Sequence, residues 1–342
     1  MWPLLAGLVA GITLRLVFDG RLDGRYETMM LSFVLLAPLL VGMVAVYVAE
    51  RHVRRSWGTY AGVGAMANLI FVAGTLLTSL EGAICVFLAL PVFVVIGSFG
   101  GLLMGAIYRY LKRPRQTLYG FMLLPLVLGA IENPHPEGRV ERIERRILIA
   151  APPAEVWRQL MTADAIRPDE VDAAWTYRIG VPKPLAGIVR QTPTGLVREV
   201  RMGKGIHFQQ MSTDWRPQRY VNWRYHFDED SVPAGALDDH VRIGGEYFEL
   251  LDTAYTLTPR AGGTELAMTL DYRVSTAFDW YAAPLGRWLL GGQSETLLSF
   301  YRRRAEARHR PAAPPTSGRP PPRCVAQTGC DVSPCAANHV LD

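Results

Sequence analysis

The chain has 342 residues, of which 49% are hydrophobic and 20% charged, with a mean hydropathy of +0.11. Soluble domains carry about 25% charged residues, so part of the chain is read as lying outside water; wholesale disorder, a collagen-like fibre and, with four cysteines, a disulfide scaffold are excluded. The net charge of +5 splits into +4 over residues 1–135, zero over 136–308 and +1 over 309–342, so the basicity sits mainly in short loops near the N-terminus and a nucleic-acid-binding face is excluded.

Four apolar stretches precede residue 112: about 2–18, 29–49, 58–80 and 82–108. A helix needs about 20 apolar residues to cross the hydrocarbon core. The last three meet this; the first is short, with Arg15 close enough to its end to snorkel. No basic segment precedes that first stretch, so it reads as a retained span and not a signal peptide. Stretch 117–131 contains Pro125 and is either a thin or tilted fifth span or an interfacial segment. Its lack of charge, and the Glu132-Asn133-Pro134 that follows, favour crossing. Arg51, Arg54 and Arg55 in one loop, and Arg109, Lys112, Arg113 and Arg115 in another, place both loops and the N-terminus in the cytoplasm. A fifth crossing then puts everything after residue 132 on the outer side. Gly97, Gly101 and Gly105 recur every four residues, a spacing suited to packing inside the bundle or to a homodimer seam. Asn68 is a lone polar residue expected to hydrogen-bond between helices. No span carries Asp, Glu or His, which argues against a proton-coupled transporter.

Residues 133–139 form a linker rich in Pro and Gly. A strand follows with Ile143, Ile147 and Ile149 on one face, and residues 154–160 read as a short helix started by Pro152-Pro153. From about residue 174 the apolar period becomes two. Leu196, Arg198, Val200 and Met202 alternate along one strand, and 205–214 forms another. Residues 219–227 put Val221, Trp223, Tyr225 and Phe227 on one face, and 246–258 group Tyr247, Leu251, Tyr255 and Leu257. Arg260-Ala261-Gly262-Gly263 predicts a hairpin turn into a strand alternating from Leu266 to Val274. Short turns between such strands imply an antiparallel meander with one dry face. Phe278, Tyr281, Leu285, Trp288 and Leu289 then recur at helical spacing. Leu297, Phe300 and Tyr301 continue that helix, Arg302, Arg303 and Arg304 close it, and Gly291-Gly292 is a candidate bend. Residues 309–342 read as a disordered Pro-rich tail. Its Cys324, Cys330 and Cys335 fit no metal motif.

A first strand running into Ile149-Ala150-Ala151-Pro152-Pro153-Ala154-Glu155-Val156-Trp157-Arg158-Gln159-Leu160, then an antiparallel sheet, then a long amphipathic helix, resembles the START/Bet v 1-like (SRPBCC) superfamily over about residues 140–308. Its bacterial members are often described as polyketide cyclase/dehydrase and lipid transport proteins. The resemblance implies an α+β helix-grip domain, a bent antiparallel sheet around the C-terminal helix with a cavity for an apolar ligand. Here that domain follows an all-α transmembrane bundle, 1–132, of four or five helices. Trp223, Tyr225, Phe227, Tyr247, Tyr255, Tyr272 and Trp288 are the candidate ligand-lining residues. Asp238 or Asp239 beside His240, with His207, are the candidates for acid–base work. Residues 237–249 have no repeated His or Cys spacing, and neither a phosphate loop nor a nucleophile elbow occurs, so no metal or cofactor is expected. The leading expectation is a multi-pass protein of a bacterial inner membrane that binds a lipid-like or polyketide-like small molecule. A cyclase or dehydratase using Asp238, His240 or His207 is one alternative, and a sensory or assembly protein is another.

Overall fold

In a computed structural model of the chain, residues 1–19, 26–50, 55–111, 114–133 and 137–309 are described. The tail from 310, the middle of the linker, and loop residues Arg51, Arg54, Lys112 and Arg113 lie outside the described residues.

The apolar stretches form five helices: α1 (Trp2–Val17), α2 (Leu31–Ala49), α3 (Trp57–Leu77), α4 (Ala83–Tyr110) and α5 (Pro114–Ile131). Three of them, α2, α3 and α4, are long and apolar enough to cross a membrane, whereas α1 has 16 residues. Small residues set how closely the helices approach. A Cβ on Gly42 or on Gly64 would lie 2.2 Å from the Gly97 carbonyl oxygen, and one on Gly101 would lie 2.2 Å from the Tyr60 carbonyl oxygen. Gly97, Gly101 and Gly105 thus face α2 and α3 of the same chain. Asn68 is the expected interhelical bonder: its Nδ2 donates to the carbonyls of Pro38 on α2 and Gly64 on α3, each at 3.0 Å. Gly101→Val is expected to destabilise the detergent-solubilised protein by at least about 1–3 kcal/mol, because its methyls meet backbone and not a movable side chain; a thermal melt against wild type measures it.

The fifth stretch runs the length of the bundle. Its start packs at Leu118 with Tyr60 and Ile107. Its end lies beside the start of α2, where the Glu132 carboxylate accepts from the backbone N–H of Leu31 at 2.5 Å and of Ser32 at 2.9 Å. An acid from a distant residue thus caps the orphan donors of α2. The ends of α1, α3 and α5 and the starts of α2 and α4 share one end of the bundle, and the second domain sits there.

That domain begins with β1 (Arg139–Ile149), α6 (Pro153–Met161), β2 (Thr162–Ala163) and α7 (Trp175–Arg178). Strands β3 (Pro184–Thr192), β4 (Gly195–Met202), β5 (His207–Ser212), β6 (Trp215–Arg216) and β7 (Tyr220–His226) follow, then β8 (Phe248–Arg260), β9 (Gly263–Val274) and α8 (Asp279–His309). The sheet is antiparallel in the order β1-β9-β8-β7-β5-β4-β3-β2, with β6 paired to β7. The β8–β9 hairpin closes at Arg260↔Gly263, and Gly262 takes φ +89°, a left-handed value that suits glycine. Helix α8 packs on β1, β9, α6 and α7, burying Leu298, Phe300 and Tyr301 in the same core as Trp223, Leu266 and Tyr272. Residues 139–309 are a helix-grip domain.

Three local expectations change. Residues 175–178 are a helical turn and not the start of the period-two region. Strand β3 lies where no clean alternation announces it. Helix α8 continues through Gly291-Gly292 without a break. A Cβ on Gly291 would meet the movable guanidinium end of Arg145 on β1, its Nη2 at 2.7 Å.

One ion pair fastens the far end of α8. Arg304 grips Glu170 with both arms of its guanidinium, Nε to Oε1 at 2.9 Å and Nη2 to Oε2 at 2.8 Å, and donates as well to the carbonyls of Asp164 and Ala165. Hydrogen bonding from Arg304 holds the Glu170 carboxyl at about 2, below its ordinary 4.5. The folded value is the lower one, so this contribution is complete above about pH 4.5 and lost as pH falls towards 2. Both side chains are partly exposed, which limits it to about 1 kcal/mol. Melts of wild type and Glu170→Gln should differ at pH 6 and converge as the pH is lowered.

Candidate functional site

A cavity of about 360 Å³ runs from inside the curved sheet to the adjoining end of the bundle. This is within the roughly 300–1,000 Å³ of small-molecule pockets. The domain contributes Arg198, Phe208, Tyr225, Tyr255, Leu290 and Tyr301; the bundle contributes Phe71, Ile84, Leu88 and Phe93. The two parts meet through side chains that sequence reading treated separately. Ile84 of α4 is buried in one cluster with Ile179, Ile206 and Phe208 of the domain, and the Tyr281 hydroxyl of α8 donates to the Leu88 carbonyl at 2.5 Å.

The deep end is built around Arg198. Alternation along β4 points it the same way as Leu196 and Met202, and it is 7% exposed. Its Nη2 donates to the Tyr301 hydroxyl at 2.8 Å. Its Nε has no hydrogen-bond partner, and among the described residues no carboxylate pairs with it. Gly187 on the neighbouring strand makes room for it: a Cβ there would lie 2.7 Å from Nε and Nη2. Arginine cannot shed its proton at accessible pH, and an uncompensated buried charge costs several kcal/mol. The site therefore holds a charged donor that an anion or a strong acceptor would satisfy. Around it, burial pushes the phenols of Tyr177, Tyr225 and Tyr255 up, so these stay protonated hydrogen-bond donors at neutral pH.

The other end is a polar joint. Arg15 does not snorkel outward: its Nε donates to Glu81 Oε1 at 2.6 Å, its Nη1 to Asp19 Oδ1 at 2.6 Å, and its Nη2 to the Leu80 carbonyl at 3.0 Å. The acids of the α1 end and the α3–α4 turn hold it inside. His240 arrives from the β7–β8 loop. Its Nε2 is 2.6 Å from Thr28 Oγ1, and its Nδ1 is 3.5 Å from Glu81 Oε2 and 4.0 Å from Cys85 Sγ. Burial pushes the Glu81 carboxyl up, but His240 and Arg15 outweigh this and hold it below the ordinary carboxylate range. Asp238 is turned to the start of α4, where its Oδ2 accepts from the Cys85 backbone N–H at 3.0 Å.

Of the aromatic residues singled out by sequence, Tyr225, Tyr247 and Tyr255 line the cavity, while Trp223, Phe227, Tyr272 and Trp288 do not. Trp223 and Tyr272 are core rings with no exposure. Phe227 packs beside Phe208 and Tyr225. Trp288 is 50% exposed and tilted against Trp175, which stacks in turn on Phe87 of α4. Of the acid–base candidates, His240 reaches the cavity. Asp238 serves the helix start instead, and His207 points outward with Nε2 3.7 Å from Asp230 Oδ2. The Asp239 side chain lies outside the described residues. Sequence reading did not select Arg198, Tyr301, Arg15, Glu81, Cys85 or Thr28.

No protein-family model and no curated protein matches the chain. Among solved structures, it is similar to the Zhui aromatase/cyclase of Streptomyces sp. R1128, at 18% identity over 50% of this chain and 97% of that one, with a TM-score of 0.33. It is also similar to the di-domain aromatase/cyclase StfQ of the steffimycin pathway, at 12% identity over 58% and 60% of the two chains and a TM-score of 0.32. A protein of Thermus thermophilus matches at 17% identity over 50% of this chain and all of its own, with a TM-score of 0.32.

Proposed function

We propose that the protein is a bilayer-anchored receptor for an amphipathic small molecule, whose acidic or hydrogen-bond-accepting group meets Arg198 and whose apolar body lies along the cavity towards the bundle. The observation that carries this reading is the buried Arg198 guanidinium, which has no acidic partner among the described residues and faces a cavity whose wall is mostly apolar. A bound carboxylate would accept from the free Nε, a charge-assisted bond made in a low-dielectric site. The bundle supplies part of the cavity wall, so an amphiphile dissolved in the bilayer has a short route inwards.

Anchoring is supported by the three helices of membrane-spanning length and composition. It is also supported by the exposed rings of Trp175, Trp280 and Trp288 where the domain adjoins the bundle, a level at which Trp residues mark the membrane–water boundary. The arginine-rich segments 51–55 and 109–115 follow the ends of α2 and α4, opposite the bundle end that adjoins the domain, and by the positive-inside rule this favours a domain outside the cytoplasm. Binding is favoured over acid–base catalysis because Asp238 and His240 do not pair; each is engaged by the bundle.

Extraction of the detergent-purified full-length protein, followed by mass spectrometry, tests this reading. A stoichiometric acidic amphiphile, absent from Arg198→Met, is the expected result. Equal recovery of bulk bilayer lipids from both proteins would contradict it.

A further inference from the structure

The polar joint carries an inference that stands apart from the amphiphile reading. We propose that Glu81, Cys85 and His240 form a three-ligand site for a borderline-soft divalent cation of the zinc class, with its fourth position turned to the cavity. The three donor atoms come from an inter-helix turn, the first turn of α4 and the β7–β8 loop, and all lie within 4.8 Å of one another. Zinc–sulfur and zinc–nitrogen bonds of about 2.3 and 2.0 Å set neighbouring donors in a tetrahedron about 3.3–3.6 Å apart. The observed separations from His240 Nδ1, 3.5 Å to Glu81 Oε2 and 4.0 Å to Cys85 Sγ, need only a small closure.

The outer contacts are those a metal site uses. His240 can offer Nδ1 to the ion because Thr28 Oγ1, 2.6 Å from Nε2, can accept from an Nε2–H and so hold the ring in that orientation. Glu81 keeps Oε2 because Oε1 is taken by Arg15 at 2.6 Å. The mixed sulfur, nitrogen and oxygen set suits zinc over magnesium or calcium. Binding would convert the Cys85 thiol to a thiolate and release its proton to solvent. The added charge would be balanced by Glu81, the new thiolate and the adjacent Asp238 carboxylate. All three ligands line the cavity, so three protein ligands with one open position is the arrangement expected. The ion would also join the bundle to the domain, since His240 is the one ligand from the domain side.

The test uses full-length protein without a histidine tag, in detergent, with Cys324, Cys330 and Cys335 changed to Ser so that Cys85 is the sole thiol. After chelator treatment, the expected result is uptake of one equivalent of Zn²⁺. Co²⁺ in its place should give a tetrahedral spectrum with a thiolate charge-transfer band. Cys85→Ser should remove that band, and His240→Ala should weaken Zn²⁺ uptake by more than about 100-fold. Thr28→Val leaves the three ligands in place and should weaken uptake about 10–100-fold. Zn²⁺ uptake equal in the parent and in Cys85→Ser, or an octahedral cobalt spectrum without the thiolate band, overturns the proposal. Loss of copurified amphiphile bears on the preceding reading and leaves this result intact.

Discussion

Arg198→Met is expected to make the ligand-free protein more stable and the binding protein far worse. The arginine is buried, and its one hydrogen-bond partner among the described residues is the neutral Tyr301. Replacing such a charge with an apolar side chain of similar length removes a desolvation penalty and gains about 1–4 kcal/mol. A carboxylate drawn into the cavity would then meet no cation. Truncating one partner of a buried charge pair costs about 2–5 kcal/mol, which is roughly 30-fold or more in affinity. Melts of delipidated protein and titration with a long-chain carboxylate in detergent measure both quantities. Arg198→Lys separates charge from shape, since it keeps the cation but loses the planar fork; it should bind between the two. A variant that is both less stable and unchanged in binding would mean that Arg198 is a structural strut.

Trp223→Ala is expected to give the largest loss of stability, about 3–5 kcal/mol, because the ring is fully buried and its removal leaves a hole among well-packed neighbours. Trp223 packs with Val221, Leu257 and Leu266 in the domain core and does not line the cavity. Affinity measured well below the melting transition should therefore stay within a few-fold of wild type. Tyr225→Ala is the matching control. Its ring lines the cavity and its hydroxyl is 2.8 Å from Thr253 Oγ1, so binding should fall with it. The pair of variants distinguishes rings that fill the core from rings that face a ligand.

Periodicity made most of the elements legible, because burial on one face imposes it. The alternation from Leu266 to Val274 and the helical recurrence from Phe278 to Tyr301 are direct consequences of α8 packing over the sheet. Strand β3 was hidden because Gly187 and Arg190 interrupt its pattern; Gly187 is there to clear space for Arg198. The key residue itself was visible. A single arginine in phase with Leu196, Val200 and Met202 is a charge aimed at a dry face, and that signal alone makes it a candidate. The joint was not legible, because His240 meets Thr28 from 212 positions away and Glu81 sits in a turn between two membrane-length helices. No spacing rule joins side chains that belong to two domains. Aromatic identity likewise could not separate Tyr225 from Trp223: both lie on β7, and only the position of the cavity distinguishes them.

The bundle and the sheet enclose one shared cavity, and in the proposed function an amphiphile lies along it. Photocrosslinking tests it most directly, with a long-chain carboxylate bearing a photoreactive group near its tail, applied to the full-length protein in bilayer vesicles and read by peptide mapping. The expected result is adducts on both sides of the joint, in 84–93 of α4 and in 285–301 of α8, that disappear in Arg198→Met. Adducts confined to the exposed α4 residues Val95 and Phe99, unchanged in that variant, would contradict it.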